Sequence, residues 1–440
     1  MTPAGRLAAT IEILEALAEK GRPADQVASI YFKNRRYIGS KDRRWIAESV
    51  WRVLRRQSRL DWLLNSVDVS PIDARARVLA DLVIEGGTMP DAEMFQGVHA
   101  ATPPDALDRR MMERLCKQSL FHRDMPLWVK GEYPEWVEPR LQQAFGDDFL
   151  REIGAMRDEA PMDLRVNTLK ATREQAIAAL AAEGIVAIPT PHSPLGLRLN
   201  RRVALVQVNA WRTGLVEVQD EGSQLVALLA DVKPGMAVVD YCAGAGGKTL
   251  ALAAAMGNSG RLIACDVAEW RVDRAQDRLR RAGVHNVTRR VISGESDKWI
   301  KRNAAAFDRV LVDAPCSGSG TWRRNPDAKW HMTPEDIAEI TVSQATILKS
   351  AARLVKPGGR LIYATCSVFV EENEAQVETF LAANANFQPV PVPLVWAENS
   401  GTPCPVPGPW LRLSPLSPGT DGFFCAVLEK KSEVVVVPSV

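Results

Sequence analysis

The spacing of hydrophobic positions changes twice along the chain. In the first 125 residues, apolar side chains recur at helical intervals, as in Ile11, Leu14 and Leu17, and strand-like alternation is scarce. Short strand candidates and helices mix in the next hundred residues, and strands then alternate with helices. The pattern predicts an all-α domain over residues 1–125, a small α+β domain over 126–230, an α/β domain over 231–430 and a loosely held tail over 431–440.

The α/β region predicts a mostly parallel, doubly wound sheet of the Rossmann-like kind. Its apolar runs are separated by amphipathic stretches, which is the pattern of strand–helix–strand units. In such sheets, ligands bind at the carboxyl ends of the strands. The predicted strands of this region are residues 236–240, 261–266, 309–313, 360–365 and 423–428, and those of the middle region are 163–167, 203–208 and 215–218.

Composition narrows the class of protein. The chain has 440 residues and a net charge of +2, so overall charge indicates little about its partners. Its seven cysteines form no CxxC pair, which argues against a structural metal site. The first twenty residues do not resemble a signal peptide, and no uncharged apolar run approaches the ~20 residues that cross a bilayer. We therefore expect a cytoplasmic protein without metal or membrane association, and a monomer.

Two stretches are locally basic. Residues 33–59 carry ten basic and two acidic side chains, and residues 271–290 carry seven arginines. Such clusters attract phosphates, but they are also common on solvated helix faces, and the residues alone leave both interpretations open. The candidates for RNA contact in the first stretch are Arg35, Arg36, Arg43 and Arg44.

A glycine-rich turn follows the first α/β strand, with the sequence DYCAGAGGKT over residues 240–249. The spacing excludes a P-loop, because Cys242 stands where a glycine is required, and Thr249 excludes the dinucleotide fingerprint. A methyltransferase-type cofactor loop remains, with Asp266 after the next strand as a ribose-hydroxyl acceptor. The alternative is a turn that only packs a helix onto a strand. The candidate cofactor-binding residues are Cys242, Ala243, Gly244, Ala245, Gly246, Gly247, Lys248, Asp266, Arg271, Glu295 and Asp313.

Two cysteines follow predicted strands, Cys316 in DAPCSGSGT and Cys366 in ATCS. Both should therefore overlook the same end of the sheet. A thiolate that adds to carbon 6 of cytosine activates carbon 5 for methylation, and an ordinary thiol with a pKa of ~8.5 needs help to ionise. Asp313 is the nearest group that could stabilise the ring edge. The residues alone do not decide which cysteine attacks.

These motifs resemble the RsmB/Sun (Fmu) family of RNA cytosine-C5 methyltransferases. The resemblance covers roughly residues 160–430 and rests on RVN at 165–167, QDEGSQ at 219–224, the glycine loop, both cysteine motifs, RRNPDAKW at 323–330, EEN at 371–373 and DGFF at 421–424. It implies S-adenosylmethionine as the cofactor. It also implies that Cys366 is the nucleophile and that Cys316 helps to release the product.

The chain departs from the family pattern at two positions. Gly244 interrupts the usual Ala-Ala-Pro of the cofactor loop, and Glu295 stands where the family has an aspartate near the adenine. The N-terminal helices resemble the NusB-like RNA-binding domain of the branch that acts on 16S ribosomal RNA. We therefore expect methylation of 16S rRNA. Transfer RNA as substrate and a non-catalytic RNA-binding factor are the alternatives.

Four further residues after Cys316 are candidates for gripping the RNA. Trp322 could stack on a base or pack in the core. Arg323, Arg324 and Lys329 carry positive charges that could bind phosphate.

Overall fold

In the computed structural model, the chain divides into two compact units. The first unit is built from helices. The structure describes residues 1–20 and 22–432, so most of the predicted tail lies outside the described residues. The first unit comprises Met1–Gln142, Phe149–Asp158 and Trp322–Met332. Its helices are α1 (Pro3–Lys20), α2 (Ala24–Asn34), α3 (Ser40–Arg55), α4 (Gln57–Ser66), α5 (Ala74–Gly86), α6 (Ala106–Leu115), α7 (Leu127–Gly131), α8 (Glu138–Phe145, whose last residues fall in the second unit) and α9 (Phe149–Arg157).

The helical spacing of the sequence explains the core of this unit. In α3, Ile46, Val50 and Val53 lie on one face and are at most 2% exposed, and Leu60 and Leu63 of α4 are fully buried. Burying such side chains contributes roughly 1.5–3 kcal/mol each. The helices therefore gain their stability from packing rather than from their own hydrogen bonds.

A four-stranded antiparallel sheet begins the second unit, with the strand order β2-β3-β1-β4. The predicted strand over residues 203–208 is wrong, because the chain forms a 3₁₀ turn at Leu205–Gln207. Leu205 and Val208 are buried while Val206 is exposed, a three-residue spacing that suits a turn better than a strand. The elements are β1 (Met162–Val166), α10 (Arg173–Ala182), β2 (Ala187–Pro189), β3 (Gly196–Leu199), α11 (Asn209–Arg212), β4 (Val216–Val218) and α12 (Glu221–Leu229).

The larger sheet has the order β10-β12-β9-β8-β5-β6-β7, with β11 paired to β12. Strands β5 to β9 pair in parallel, as in a Rossmann-like fold, whereas β12 pairs antiparallel with β9, β10 and β11. The elements are β5 (Ala237–Asp240), α13 (Gly247–Ala255), β6 (Arg261–Asp266), α14 (Glu269–Ala282), β7 (Val287–Val291), α15 (Lys298–Arg302), β8 (Phe307–Asp313), α16 (Pro334–Ala352), β9 (Val355–Thr365), α17 (Glu374–Ala383), β10 (Phe387–Val390), α18 (Val392–Asn399), β11 (Leu411–Leu413) and β12 (Phe423–Lys430).

Both faces of this sheet are buried. Along β8, Val310 and Val312 belong to one apolar cluster and Leu311 belongs to the other. Helices cover both faces, so the strands read as continuous apolar runs rather than alternating ones. The sequence-predicted fold class is confirmed, whereas the three domain boundaries stay a prediction. Within the described ranges, no helix is long and apolar enough to span a bilayer.

A buried carboxylate holds the starts of the strands together. Asp231 accepts hydrogen bonds from Arg309 of β8 at 2.8 Å and from Arg360 of β9 at 3.0 Å. Lys233 lies 2.8 Å from its other oxygen. Burial opposes its charge, but Lys233 and Arg309 outweigh burial and lower the pKa of Asp231.

We predict that Asp231→Asn lowers the free energy of unfolding by about 2–4 kcal/mol at pH 7, since it leaves the buried Arg309 without its ion-pair partner. Asparagine tolerates the left-handed backbone of this residue (φ 49°), so the change tests charge rather than conformation. Urea denaturation measures the loss. Lys356→Gln, which removes a half-exposed ion pair to Asp308, is the control and should cost less than about 1 kcal/mol. Equal losses in the two variants would contradict this account.

Candidate active site

The glycine turn follows β5 because the chain must reverse direction before α13. Gly244 and Gly246 adopt positive φ angles of 53° and 81°. A Cβ on Gly246 would lie 3.1 Å from the Cβ of Ala275, so a side chain would be crowded as well as strained.

At the end of β5, Asp240 accepts a hydrogen bond from Thr249 Oγ1 at 2.6 Å, and burial raises the pKa of Asp240 to about 7.

A cavity of about 610 Å³ opens beside this turn, a size that suits a nucleoside-containing ligand. Every sequence-predicted cofactor residue except Gly246 lines it. Those residues are Cys242, Ala243, Gly244, Ala245, Gly247, Lys248, Asp266, Arg271, Glu295 and Asp313.

Several lining residues had no predicted role. Gln219 and Ser223 belong to a motif that carries the family resemblance, and their side chains hydrogen bond to each other at 3.1 Å. Arg278 of α14 donates to the carbonyl of Ala245 at 2.7 Å and so braces the glycine turn. No local sequence signal marks Arg278, because its partner lies 33 residues away.

The donor set of the cavity fits a ligand with a ribose and an apolar ring. Asp266 holds the turn through the amide of Gly244 (2.9 Å) and holds its own loop through the amide of Ala268 (2.8 Å). A carboxylate has about four acceptor sites, so capacity remains for ribose hydroxyls. Ile292 and Ile347 supply apolar surface on the same wall.

The two predicted cysteines come together. Their Sγ atoms lie 3.4 Å apart, although 50 residues separate them in sequence. Parallel pairing of β8 and β9 aligns Asp313 with Ala364, so the loops that carry the two thiols leave the sheet side by side. The amide of Gly320 also donates to the carbonyl of Cys366 at 2.9 Å, which links the two loops directly.

An ion pair forms part of the cavity lining. Lys248 Nζ is 2.7 Å from Asp313 Oδ2, and the lysine side chain is 8% exposed. Burial opposes the positive charge, but the Asp313 carboxylate and the Cys366 sulfur outweigh burial and raise the pKa of Lys248. Lys248 is therefore a buried cation that interacts electrostatically with Asp313 and Cys366.

The two thiols have different electrostatic surroundings. The hydrogen bond to Cys366, followed by burial and the charge of Glu372, raises the pKa of the Cys316 thiol well above its ordinary value. The Cys316 thiol is therefore harder to ionise than an ordinary cysteine. Its S–H can donate to the Cys366 sulfur, which lies 3.4 Å away.

Comparison with known proteins gives a consistent result. Residues 227–429 match the sequence model for the 16S rRNA methyltransferase RsmB/F, and residues 133–206 match the ferredoxin-like domain of RsmF/B-like methyltransferases. A probable ribosomal RNA small subunit methyltransferase B from Synechocystis is 31% identical over 89% of this chain and 92% of its own length. The chain belongs to the RsmB/F methyltransferase family.

Further RsmB/F relatives and structures extend this result. Ribosomal RNA small subunit methyltransferase B of Salmonella paratyphi B is 30% identical over 96% of this chain and 97% of its own. The crystal structure of PH0851 has a TM-score of 0.80 and 29% identity, and covers 98% of this chain and 99% of that one. A methyltransferase homolog protein from Pyrococcus horikoshii has a TM-score of 0.59 and 31% identity, over 69% of this chain and 97% of its own.

The predicted RNA contacts of this RsmB/F chain fall into two groups. Arg36 and Arg44 are exposed in the first unit. Arg35 instead pairs with Glu12 at 3.0 Å, and Arg43 donates to the carbonyl of Ile38 at 2.7 Å. These four arginines remain candidates, with Arg36 and Arg44 the more accessible.

The positions of the side chains in the segment Trp322–Met332 do not support the predicted RNA contacts there. Trp322, Arg323 and Lys329 are only 4–6% exposed, because this segment packs among the helices of the first unit. Arg324 is half-buried, and its carbonyl lies 3.4 Å from Nε1 of Trp51. We therefore correct the prediction for Arg323 and Lys329, whose charges face the protein interior.

Lys329 shares its interior site with Glu132 and Arg59. The Glu132 carboxylate accepts from the amides of Ser58 and Arg59 at the start of α4 and pairs with Arg59 Nε at 2.6 Å. Burial raises the pKa of Glu132 despite these cations. Burial also lowers the pKa of Lys329 to about 8, although Glu132 opposes the shift.

This buried lysine predicts a pH-dependent stability. Its pKa is about 8 in the folded chain against 10.5 for an ordinary lysine, so between these values the unfolded chain binds more protons. Stability should therefore rise with pH in this window, by about 1–2 kcal/mol from pH 8 to pH 10. Urea denaturation of the full chain should show this gain in the wild type and not in Lys329→Gln. The exposed-lysine variant Lys41→Gln should keep the gain. A gain that persists in Lys329→Gln would refute the assignment.

Proposed function

We propose that this chain methylates carbon 5 of a cytosine in 16S rRNA, with S-adenosylmethionine as the methyl donor and Cys366 as the covalent nucleophile. The 3.4 Å thiol pair beside a cofactor-sized cavity carries the proposal. A binding module needs neither thiol, so this arrangement favours an enzyme over a non-catalytic factor. The ribosomal RNA substrate rests on the names of the relatives.

Covalent addition explains the need for a thiol. Carbon 5 of cytosine is a weak nucleophile, and addition of the Cys366 thiolate to carbon 6 turns the ring into an enamine whose carbon 5 is nucleophilic. After methylation, the proton on carbon 5 leaves to a base. The carbon–sulfur bond then breaks, which restores the ring and the Cys366 thiolate.

Electrostatics favours Cys366 over Cys316 as the attacking group. The Cys366 sulfur interacts electrostatically with the buried cation of Lys248 and can accept the S–H of Cys316. Cys316 has the opposite surroundings, because Glu372 and Cys366 disfavour its ionisation. Cys316 is therefore suited to exchange protons during release of the product, within contact distance of the sulfur that departs.

Asp313 and Lys248 act on the pyrimidine edge in this proposal. Paired to Lys248 at 2.7 Å, Asp313 is an anionic acceptor for the exocyclic amino group of cytosine. The Lys248 cation also offsets charge that develops on the ring during thiolate addition. Asp313 lines the cavity, so the same carboxylate connects the cofactor side to the substrate side.

The cavity is where S-adenosylmethionine would bind. Asp266 would accept from the ribose hydroxyls, and the apolar wall with Ile292 and Ile347 would hold the adenine. The amides at the start of α13 favour the carboxylate of the amino-acid portion. When bound, the cofactor supplies the methyl group. Glu295 also lines this cavity, in the position where the resemblance implies a carboxylate near the adenine.

We predict that the protein, incubated with S-adenosylmethionine and a 16S rRNA transcript, produces 5-methylcytidine in that transcript. Mass spectrometry of the digested RNA detects the product and maps its position. A transfer RNA pool serves as the comparison substrate. Methylation of the transfer RNA alone would redirect the proposal to that substrate, and RNA binding without methylation of either would favour the non-catalytic alternative.

We predict opposite behaviour of the two cysteine variants. Cys316→Ala should accumulate a covalent RNA adduct, because release is slowed while attack by Cys366 persists. Cys366→Ala should form no adduct and should lose at least about 10³-fold in methylation rate, since the nucleophile is absent. Denaturing gel electrophoresis with labelled RNA detects the adduct. Cys404→Ala, outside the site, is the control and should match the wild type. An adduct in Cys366→Ala and none in Cys316→Ala would exchange the two roles.

A further inference from the structure

A fully buried carboxylate lies beneath the two thiol loops. Glu372 ends the 3₁₀ turn Val370–Glu372, between β9 and α17, and its relative exposure is 0%. The sequence analysis noted it only as part of a family motif. A lone buried carboxylate would cost several kcal/mol, so its partners must explain its presence.

The partners of Glu372 come from both cysteine loops. Ser317, the residue after Cys316, donates its amide to Oε1 at 2.8 Å and its hydroxyl to Oε2 at 2.5 Å. Ser367, the residue after Cys366, donates its hydroxyl to Oε2. One carboxylate thus holds the residues that directly follow the two reactive sulfurs.

Two further side chains complete the hydrogen-bond network around Glu372 and the two serines. Gln344 of α16 donates to Oε1 of Glu372 at 3.0 Å, and also to the carbonyl of Pro315 at 2.9 Å. Ser319 joins its hydroxyl to that of Ser367 at 2.9 Å. The Glu372 carboxylate therefore receives four donors, which matches its acceptor capacity. These donors are neutral, so its negative charge is solvated but not cancelled.

We propose that Glu372 is a positioning residue that locks Ser317 and Ser367 together and thereby sets the geometry of the Cys316–Cys366 pair. A neutral or shorter side chain cannot accept all four donors. The loops would then move apart by a fraction of an ångström or more, and the contact between the sulfurs would loosen.

The charge of Glu372 also bears on which thiol ionises. The titratable groups that face Cys316 are Cys366, Glu372 and Tyr363, and Lys248 faces Cys366. After the hydrogen bond to Cys366 and burial, the charges of Cys366 and Glu372 raise the pKa of the Cys316 thiol. Removal of the Glu372 charge should therefore ease ionisation of Cys316, an effect that a purely structural role would not produce.

Disulfide cross-linking tests the geometry without RNA. Diamide removes two electrons and two protons from a thiol pair, and it should join Cys316 to Cys366 rapidly in the wild type because the sulfurs are in contact. Peptide mass spectrometry identifies the bond. We expect Glu372→Gln to slow this cross-link at least about tenfold, since cross-linking requires the two sulfurs to stay aligned.

Thiol titration tests the charge. In a Cys366→Ala background, the alkylation rate of Cys316 by iodoacetamide is measured against pH, with and without Glu372→Gln. Loss of the carboxylate should shift the profile to lower pH and speed alkylation at pH 8 by at least about threefold. An unchanged profile together with wild-type cross-linking would overturn the proposal.

A matched control separates this role from general stability. Asp231→Asn also neutralises a buried carboxylate of the same unit, but at the amino ends of β8 and β9, where Arg309 and Arg360 lie. It should leave Cys316–Cys366 cross-linking within about twofold of the wild type, because the thiol loops leave the other ends of these strands. An equal slowing in both variants would overturn the positioning role.

A second variant keeps the test decisive if Glu372→Gln fails to fold, as judged by loss of S-adenosylhomocysteine binding. The double variant Ser317→Ala/Ser367→Ala keeps the charge but removes its two hydroxyl donors. It should slow cross-linking, and cross-linking at the wild-type rate would again overturn the positioning role.

This inference rests on the proposed function, yet both thiol measurements omit RNA. Absence of RNA methylation by the wild type would defeat the proposed function and leave the thiol results interpretable.

Discussion

The pairing register between β8 and β9 is the constraint on which the site depends. It places Asp313 opposite Ala364, so Cys316 and Cys366 follow three and two residues after aligned positions. A slip of one residue would move a strand by about 3.3 Å and turn its side chains to the other face. That displacement is comparable to the 3.4 Å distance between the two sulfurs. A pairing register shifted by one residue would therefore separate the thiols.

Two chemically identical groups have different charged neighbours. A cation, Lys248, acts on Cys366, and an anion, Glu372, acts on Cys316. The two thiols therefore have neighbours of opposite charge, and environments that differ in this way are how enzymes divide acid and base work between paired groups. The sequence motifs alone could not make this distinction, because each cysteine simply follows a strand.

Local pattern was enough to predict the main strands of the large sheet and the residues at their ends, including the cavity-lining loop. Long-range pairing was not predictable in the same way. The short strands β2, β3, β10 and β11 have three or four residues each and form only because neighbours complete their hydrogen bonds.

Arg323 and Lys329 were predicted as RNA contacts because the sequence shows the charge of a side chain but not its burial. Glu372 was missed as a separate element for the same reason: its donors lie 5, 28 and 55 residues away.

Two buried carboxylates, Asp231 and Glu372, differ in the charge of the groups that surround them. Asp231 is surrounded by Arg309, Arg360 and Lys233, so its charge is neutralised and its effect is to hold the strands together. Glu372 is held by serine and glutamine donors, which satisfy its lone pairs and leave its charge in place. For stability alone, cations would compensate a buried anion better, and an apolar side chain would often serve as well. A charge that is hydrogen-bonded by neutral donors but not paired with a cation is instead suited to act on a neighbouring titratable group, such as the Cys316 thiol.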